Sequence, residues 1–402
     1  MRDALAFFCG LVSVIIGTVM SLPSVWSIQR IARPGVGLTE VPWLSLGFGL
    51  TAIRLSHKRR RKLGGILGFC GALMALRPLF RVFGASRAHD RAMRRALGPA
   101  WEQEIPPELL HRMVRGRLDL FRTMLRRREV LARVRVTHNV PFWQISTHTL
   151  RVDIYEPLEG TGPFPVIIAV HGGGWEGGEK GGTFEPHHRW LAQQGYVVFD
   201  VDYRLSPDVI WPHHLTDVKT AIRWVRANAA QYHADPDRIA LHGRSAGAHL
   251  ALMAAFTPCN PDFPAAPGLP ERDDVQAVVA VYPPTDLPLL QSTVIGPLEY
   301  WLGGRLDTHP QLYMSASPVN IAPASAPPVL LAHGGWDNLV VPEHSVRLHA
   351  RLHELGAVCA YLFYPWGRHG MDYSLSGLAG HMLQYDTDRF LAWALRRRGT
   401  TQ

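Results

Sequence analysis

The chain has 402 residues, of which 47% are hydrophobic, enough for one large α/β domain with a helical extension, and its four cysteines are too few for a disulfide framework. The formal net charge of +9 is concentrated in residues 1–136, which carry 24 Lys+Arg against 8 Asp+Glu, whereas the remainder carries 18 against 25. Nucleic acid is therefore a poor partner for the larger, mildly acidic part, and the basic part, interleaved with apolar runs, suits a membrane surface better.

The first apolar run, Ala4–Leu22, is long enough to cross a bilayer as one helix. A cleaved signal peptide is the alternative interpretation. The apolar core of a signal peptide is normally shorter, and no convincing small-x-small cleavage site follows this run. We therefore expect an uncleaved N-terminal membrane anchor.

Two shorter apolar runs, Val41–Leu55 and Leu63–Leu76, lie on either side of the basic segment His57–Lys62. Each run is marginal for a full span, so the pair is expected to form either a tight membrane hairpin or two interfacial or buried helices. The basic segment indicates a cytoplasmic anchor of the positive-inside kind. The membrane region, residues 1–84, is therefore expected to contain one to three helices. Arginines also follow the last run, so the positive charges do not indicate on which side of the membrane the rest of the chain lies.

Residues 85–135 form a basic segment rich in arginine, with helical spacing that is interrupted at Pro106 and Pro107. No catalytic or ligand-binding pattern is visible in this segment. It is expected to be a membrane-surface helix, a lid over a pocket or a spacer.

From Val140 onward, predicted strands alternate with helical patterns. Thr149–Tyr155 alternates apolar and polar residues, while Pro165–Val170 and Tyr196–Val201 are continuous apolar runs typical of buried parallel strands. Further strands are predicted at 238–241, 275–281, 328–332 and 357–364, with helices at 187–194 and 214–232. The alternation predicts an α/β domain with a doubly wound, mostly parallel sheet over residues 136–402, whose functional residues lie at the carboxyl ends of strands.

Three consecutive glycines follow the strand that ends at Val170, in the segment His171–Trp175, HGGGW. Glycines at a strand end allow backbone N–H groups to turn toward one point, as the stabilisation of an oxyanion requires. A flexible loop is the alternative. We expect Gly173 and Gly174 to supply two of these donors.

The segment from Asp237 to Phe256 reads as a short strand, a glycine-flanked serine and a helix of small residues. Ser245 lies at the bend, in the pattern G-x-S-x-G. A strand that turns directly into a helix strains the serine backbone and leaves no room for side chains two residues away, which explains the two glycines. Ser245 is the predicted nucleophile, and the N–H of Ala246 is the third predicted oxyanion donor.

A serine hydroxyl needs a base and a residue that orients the base. Asp337 lies in a turn after a late predicted strand, and His369 lies in a glycine-flanked loop after the next one. Asp286, which follows the predicted strand that ends at Tyr282, is the competing acid, but a helix N-cap or a turn former is the better explanation for it. The predicted triad is Ser245, Asp337 and His369.

Other histidines and aromatic residues have ordinary structural explanations. His349 and His353 stand four residues apart on a predicted helix, but the glutamate of an HExxH motif is absent and no third ligand is indicated, so we predict no metal site. Trp175, Phe184 and Trp211 are expected either to line an acyl pocket or to pack in the core.

With these motifs in place, residues 140–395 resemble the α/β-hydrolase esterases of the hormone-sensitive-lipase-like group and the related feruloyl-esterase-like branch. The resemblance rests on the motifs HGGGW, DYRLSP at 202–207, DPDRI before GRSAG, Ser317-Pro318, HGGWDNLVVP and the final RHG. The order serine, acid, histidine is also that of this fold. The N-terminal region looks like that of membrane-anchored bacterial carboxylesterases and lipases, and less closely like that of prenylcysteine methylesterases.

The resemblance implies the same triad and the same oxyanion donors. Arg244 departs from the group, which more often has an acidic residue, histidine or a small residue at this place. We consider two explanations for this arginine, a preference for substrates with an anionic group and a side chain that faces solvent.

The sequence therefore predicts a membrane-anchored serine carboxylic ester hydrolase that needs no metal or organic cofactor. Its expected partners are a small-molecule or lipid ester and a membrane, not nucleic acid. The alternatives are an amide-bond hydrolase with the same triad, such as a formamidase or peptidase, and a non-catalytic binding protein with a hydrolase fold.

Overall fold

The computed structural model describes residues 2–21, 42–56, 63–105, 134–146, 148–291, 297–375 and 377–396. The chain packs into two compact units. The helical unit comprises Met1–Asp90, Gly334–Asn338 and Phe363–Leu383, and the sheet unit comprises Arg91–His333, Leu339–Leu362 and Gln384–Gln402. The three-part domain division predicted from the sequence is a different partition and stays a prediction.

The three N-terminal apolar runs all form helices, as their composition indicates. These are α1 (Arg2–Ser21), α2 (Pro42–Ser56) and α3 (Leu63–Leu97). The third helix is far longer than its apolar run and passes without interruption through residue 84, where the sequence placed the end of the membrane region. Within the residues described, no helix combines the length and hydropathy needed to cross a membrane.

Small side chains fill the contacts among α1, α2 and α3. A side chain added at Gly10 would overlap the carbonyl oxygen of Gly64. The Ser13 hydroxyl donates to the Ser45 carbonyl oxygen at 2.8 Å, and the Ser45 hydroxyl donates to the Ser13 carbonyl oxygen at 2.9 Å. Close backbone approach with hydroxyl hydrogen bonds replaces a core of large apolar side chains here.

Many of the large apolar side chains of these helices instead point outward. Fourteen of them are among the exposed hydrophobic residues: Leu5, Phe7, Phe8, Leu11 and Ile15 of α1, Leu44, Phe48 and Leu50 of α2, and Leu63, Ile66, Phe69, Leu73, Phe80 and Phe83 of α3. Large exposed apolar patches are rare on soluble monomers, and they occur mainly at sites of interaction with proteins or membranes.

An eight-stranded sheet with the strand order β1-β2-β4-β3-β5-β6-β7-β8 forms the centre of the sheet unit. The strands are β1 (Val134–Ile145), β2 (His148–Pro157), β3 (Phe164–Val170), β4 (Val197–Val201), β5 (Ala234–Arg244), β6 (Ala277–Val281), β7 (Val329–Gly334) and β8 (Cys359–Tyr364). Strand β2 pairs antiparallel with β1 and β4, whereas β3, β4, β5, β6 and β7 pair in parallel. The mostly parallel sheet predicted from the sequence is confirmed.

Helices follow most of the strands and bury their apolar sides. They are α4 (Glu185–Gln193), α5 (His213–Asn228), α6 (Ala246–Phe256), α7 (Leu287–Gln291), α8 (Pro297–Leu302), α9 (Pro310–Ser315), α10 (Pro318–Ile321), α11 (Glu343–Glu354) and α12 (Leu378–Ala394). Every residue of β4, β6 and α6 is buried, which accounts for the continuous apolar runs that predicted them.

Strand β1 includes Val134 and Arg135, the last two residues of the predicted linker, and the sequence patterns place the first defined strand only at Thr149–Tyr155, so this edge strand was missed. The second half of residues 85–135, part of the segment expected to be a membrane-surface helix, a lid or a spacer, lies largely outside the described residues.

Candidate functional site

Ser245 occupies the bend between β5 and α6, as the GRSAG pattern predicts. Its backbone has φ 52° and ψ −123°, a conformation that L-residues with a side chain rarely adopt. The Ser245 N–H donates to the Val281 carbonyl oxygen at 3.0 Å, and the His249 N–H donates to the Ser245 carbonyl oxygen at 3.0 Å. Neighbouring backbone therefore holds the strained serine in place on both sides.

The glycines around Ser245 are required by close backbone approach. A side chain at Gly247 would overlap the carbonyl oxygens of Val170 and His171, which lead into the glycine loop. A Cβ at Gly172 would lie 2.8 Å from the Arg244 carbonyl oxygen and 3.3 Å from the Ser245 Cβ. The HGGGW loop and the serine bend are thus packed directly against each other.

The loop glycines themselves adopt conformations that other residues disfavour. Gly173 has φ +135° and Gly174 has φ +64°. The Gly173 carbonyl oxygen accepts the N–H of Gly177 at 3.0 Å, which closes a tight turn. A rigid turn of this kind can hold backbone N–H groups in one arrangement, as an oxyanion site needs.

Alanine at Gly173 should destabilise the protein more than alanine at Gly174. The new methyl group at Gly173 would overlap the Gly177 carbonyl oxygen in a left-handed backbone, whereas nothing lies within 4 Å of a Cβ at Gly174. We expect a loss of about 2 kcal/mol or more for Gly173→Ala and about 1 kcal/mol for Gly174→Ala. Thermal melts of the two variants would check this order, and equal losses would contradict the packing described.

The segment after β4 is tied to α5 by an ion pair. The Arg204 Nε and Nη2 atoms donate to the two Asp217 carboxylate oxygens at 2.8 and 2.7 Å. The neighbouring Tyr203 hydroxyl donates to the His171 carbonyl oxygen at 3.0 Å, and the two rings stack with centroids 4.2 Å apart. The DYRLSP motif therefore supports the start of the glycine loop.

The predicted acid and base lie together in the helical unit. Asp337 follows β7, His369 follows β8, and the His369 Nδ1 lies 2.7 Å from the Asp337 Oδ2. The Asp337 side chain is fully buried and the His369 side chain is 15% exposed. Because a carboxylate only accepts hydrogen bonds, neutral His369 carries its proton on Nδ1, and Nε2 is then the unprotonated nitrogen that a general base requires.

Backbone hydrogen bonds join the turn that carries Asp337 to the loop that carries His369. The Gly335 N–H donates to the Tyr364 carbonyl oxygen at 2.8 Å, and the Trp336 N–H donates to the Gly367 carbonyl oxygen at 2.8 Å. The acid and the base are consequently held by one connected piece of backbone.

The competing acid, Asp286, has a structural role. Its Oδ1 accepts the Leu289 N–H at 3.2 Å near the start of α7, and its Oδ2 accepts Arg347 Nη1 at 2.6 Å. A carboxylate at the first turn of a helix stabilises that turn, so the simpler explanation holds for Asp286.

Residues 152–352, half of the chain, match the BD-FAE family. The chain belongs to this family. The matched residues include the glycine loop, Ser245 and Asp337, and they end before His369. The matched range thus contains the predicted nucleophile and the predicted acid, while the predicted base lies outside it and is linked to Asp337 by a hydrogen bond.

Known proteins similar to this BD-FAE chain are esterases. It is 36% identical over 231 residues to the probable carboxylic ester hydrolase LipM of Mycobacterium tuberculosis (strain ATCC 25618 / H37Rv), which covers 56% of this chain and 53% of LipM. It is 36% identical over 220 residues to esterase LipC of the same organism, covering 53% of this chain and 54% of LipC. The chain spans about half the length of these curated relatives.

A solved structure supports the predicted α/β-hydrolase fold. A truncated form of a carbohydrate esterase from gut microbiota matches with a TM-score of 0.55 at 25% identity, covering 64% of this chain and 97% of that one. Together with the mostly parallel sheet, this likeness confirms the fold class of the BD-FAE chain.

The structure excludes one of the two explanations considered for Arg244, a side chain that faces solvent. Arg244 is only 4% exposed, so it does not face solvent. Its guanidinium lies 3.9 Å from the centre of the Phe184 ring, and its Nη2 donates to His187 Nδ1 at 2.9 Å. Burial first, and then the charge of Arg244, hold the pKa values of His187 and His242 well below the ordinary range, so both imidazoles are neutral acceptors. Arg244 is therefore buried and packed against the Phe184 ring, and the preference for substrates with an anionic group stays a prediction.

Of the aromatic residues considered for an acyl pocket, the two tryptophans belong to a buried cluster. Trp175 and Trp211 are each 5% exposed, and the Trp175 ring stacks on Trp301 with centroids 3.9 Å apart. His249 contacts all three tryptophan rings. Core packing therefore accounts for both tryptophans, and Phe184 lies against Arg244.

The buried histidine of this cluster should make stability depend on pH. His249 Nε2 donates to the Ala316 carbonyl oxygen at 2.8 Å, and burial lowers the pKa of His249 to about 4. Unfolded His249 would bind a proton near pH 6.5, so stability should fall as pH drops from about 6.5 toward 4, by up to about 3 kcal/mol. Urea unfolding at several pH values measures this loss.

The matched variant for the pH experiment is His249→Gln, which keeps a side-chain N–H donor but does not titrate. Its free energy of unfolding should fall less steeply between pH 6.5 and 4 than that of the wild type. Equal slopes for the two proteins would show that this histidine does not contribute.

Among the described residues, no group of three or more His, Cys, Asp or Glu is arranged to hold a metal ion. The ring of His349, one of the two histidines considered as metal ligands, lies 5.9 Å from the Tyr361 ring.

Sequence reasoning missed two residues of α3, Arg81 and His89, which contact the segments that carry Asp337 and His369. The signal that could have revealed His89 is a polar residue in an otherwise buried apolar stripe of the helix.

Proposed function

We propose that the chain is a serine-dependent carboxylic ester hydrolase. Ser245 is the nucleophile, His369 is the general base, and Asp337 orients the imidazole. The backbone N–H groups of Gly173, Gly174 and Ala246 stabilise the oxyanion. The observation that carries this proposal is the strained bend at Ser245, packed against a three-glycine loop, because such strain persists only where the surrounding structure enforces it.

The hydrogen bond between Asp337 and His369 and the similarity to proteins named as carboxylic ester hydrolases and esterases support the same function. In the proposed reaction, His369 Nε2 takes the Ser245 proton while the serine oxygen attacks the ester carbonyl carbon. The tetrahedral oxyanion collapses as His369 returns the proton to the leaving alcohol. Water then hydrolyses the acyl-enzyme by the same route.

Each oxyanion donor contributes about 3 kcal/mol to catalysis in such sites, because the donors are aimed at the place where negative charge develops. The substrate class that we propose is short-to-medium acyl esters, or lipid esters that reach the site from a bilayer. No metal or organic cofactor takes part in the proposed steps.

The test compares p-nitrophenyl esters of increasing acyl length with p-nitroanilides of the same acyl groups, using the full chain. The proposal expects ester turnover that exceeds anilide turnover at every length. A preference for the anilides would favour an amide-bond hydrolase. A folded protein that hydrolyses neither series would favour a non-catalytic binding protein.

We further propose that the helical unit attaches the enzyme to a membrane. The arrangement that supports this is the inverted packing of α1, α2 and α3, with small residues and serine hydroxyls inside and large apolar side chains outside. Water is a poor solvent for that surface, whereas lipid acyl chains would cover it. The side of the membrane that the catalytic domain faces stays open.

Flotation with vesicles of phosphatidylcholine and phosphatidylglycerol tests this attachment. The full chain should rise with the vesicles, and Phe8→Ser/Phe69→Ser should weaken binding because it removes two outward apolar side chains. The matched control is Leu158→Ser/Ile210→Ser, which alters exposed apolar residues of the sheet unit. An equal effect of the two double variants would contradict a specific role for the helical unit.

A further inference from the structure

Helix α3 touches the turn after β7 and the loop after β8, which carry the acid and the base. The Arg81 guanidinium carbon lies 5.8 Å from the centre of the Trp336 ring, next to Asp337 in sequence. Arg81 Nη1 also approaches the Pro365 carbonyl oxygen at 3.5 Å. One side chain of α3 therefore reaches both segments.

His89 makes a second attachment further along the same helix. Its Nε2 lies 2.9 Å from the Phe363 carbonyl oxygen, and because a carbonyl only accepts, Nε2 is the donor. The His89 ring also packs edge-on against Tyr364, with centroids 4.6 Å apart. Both contacted residues lie at the end of β8, shortly before His369.

The burial of His89 indicates that its polarity is needed. It is 1% exposed and follows Val82 and Ala85, which are 0% and 5% exposed, on the buried side of α3. Helical spacing predicts an apolar residue at this position, since burying an imidazole costs free energy unless it forms hydrogen bonds. The bond to Phe363 offsets that cost and ties the helix to the end of β8.

We propose that Arg81 and His89 are positioning residues for the Asp337–His369 pair, so that helix α3 is part of the catalytic apparatus and not only an attachment device. The proposal rests on the function proposed above. The two residues are eight positions apart, about 12 Å along the helix, so together they fix both the place and the tilt of the acid and base segments against α3.

The mechanism of this effect is geometric. Asp337 and His369 are held by backbone that is joined through Gly335 and Trp336, and α3 braces that backbone from one side. A shift of about 1 Å in a catalytic base can lower the rate about 100-fold without weakening substrate binding. Loss of the brace should therefore lower kcat while KM changes little.

The experiment measures kcat and KM for p-nitrophenyl butyrate with the full chain, expressed per active site titrated with a fluorophosphonate. We expect His89→Leu, which fills the buried space without a donor, to lower kcat about 10- to 100-fold. His89→Gln, whose amide N–H can donate to Phe363, should recover most of that loss. Arg87→Met, at an exposed position of the same helix, should match the wild type.

A purely structural role for His89 would lower the melting temperature and the number of titrated sites but leave kcat per site unchanged, and that result would overturn the inference. If His89→Leu does not fold, Arg81→Met carries the test, since Arg81 is partly exposed, and it should lower kcat in the same way. A wild-type protein that neither reacts with the fluorophosphonate nor hydrolyses the ester would overturn the proposed function. An active wild type together with an unchanged kcat in His89→Leu and Arg81→Met would overturn this inference alone.

Discussion

Replacing Ser245 with alanine should lower kcat/KM for p-nitrophenyl esters by at least about 10⁴-fold, because the acyl-enzyme can no longer form. The residual rate would come from substrate binding and the oxyanion donors. Since the Ser245 side chain is not needed to fill the core, the variant should fold normally, as judged by circular dichroism and thermal melting. Initial rates at saturating and subsaturating ester concentrations measure the effect.

Ser245→Gly provides a sharper control for this experiment. Glycine adopts φ 52° and ψ −123° without the strain that serine bears, so this variant should be equally inactive but more stable than the wild type by about 1 kcal/mol. Retention of more than a small part of the wild-type rate by either variant would exclude Ser245 as the nucleophile.

Replacing Asp337 with asparagine should lower kcat by about 10⁴-fold, with little change in KM. Asparagine can donate its amide N–H to His369 Nδ1, which would place the imidazole proton on Nε2 and remove the base from the reaction. The hydrogen bond of 2.7 Å that now fixes the tautomer would thus be reversed in direction. Steady-state kinetics with one ester at several concentrations separate the two parameters.

The matched substitution is Asp286→Asn at the competing acid. Asp286 supports the start of α7 and pairs with Arg347, so this change should lower stability by about 1 kcal/mol and leave kcat close to that of the wild type. If Asp286→Asn removed activity and Asp337→Asn did not, the assignment of the acid would be wrong.

The sequence predicted most of the parallel sheet because its strands are buried on both faces. The runs at Pro165–Val170 and Tyr196–Val201 are continuous and apolar, and they correspond to β3 and β4. The bend at Ser245 could also be predicted from the sequence, since a strand, a turn and a helix follow one another within a few residues around GRSAG. Local patterns of this kind need no knowledge of distant parts of the chain.

Strand β1 shows where local patterns fail. It is an edge strand with half-exposed residues, Asn139 adopts φ 59°, and the register with β2 shifts before and after Pro141. Proline and irregular backbone are tolerated there because, among the described residues, β1 is paired with a strand on one side only. These same features remove the alternation by which a strand is recognised.

Tertiary packing also decided the roles of Arg244 and His89, which no local pattern could give. The neighbours of Arg244 that decide its burial, His187 and Phe184, lie about 60 positions earlier in the sequence. The acceptor for His89 is the carbonyl oxygen of Phe363, 274 positions later. Polar residues at buried positions can be suspected from the sequence, but their partners are defined only by the fold.

The most direct test of Ser245 as the activated nucleophile is to locate a fluorophosphonate adduct by mass spectrometry of the digested full-length protein. One adduct per chain is expected, on the peptide that contains Ser245, and it should form with the native protein but not after prior denaturation. Labelling should be far slower in Asp337→Asn. An adduct on a different residue, or a folded protein that forms none, would contradict the claim that Ser245 is an activated nucleophile.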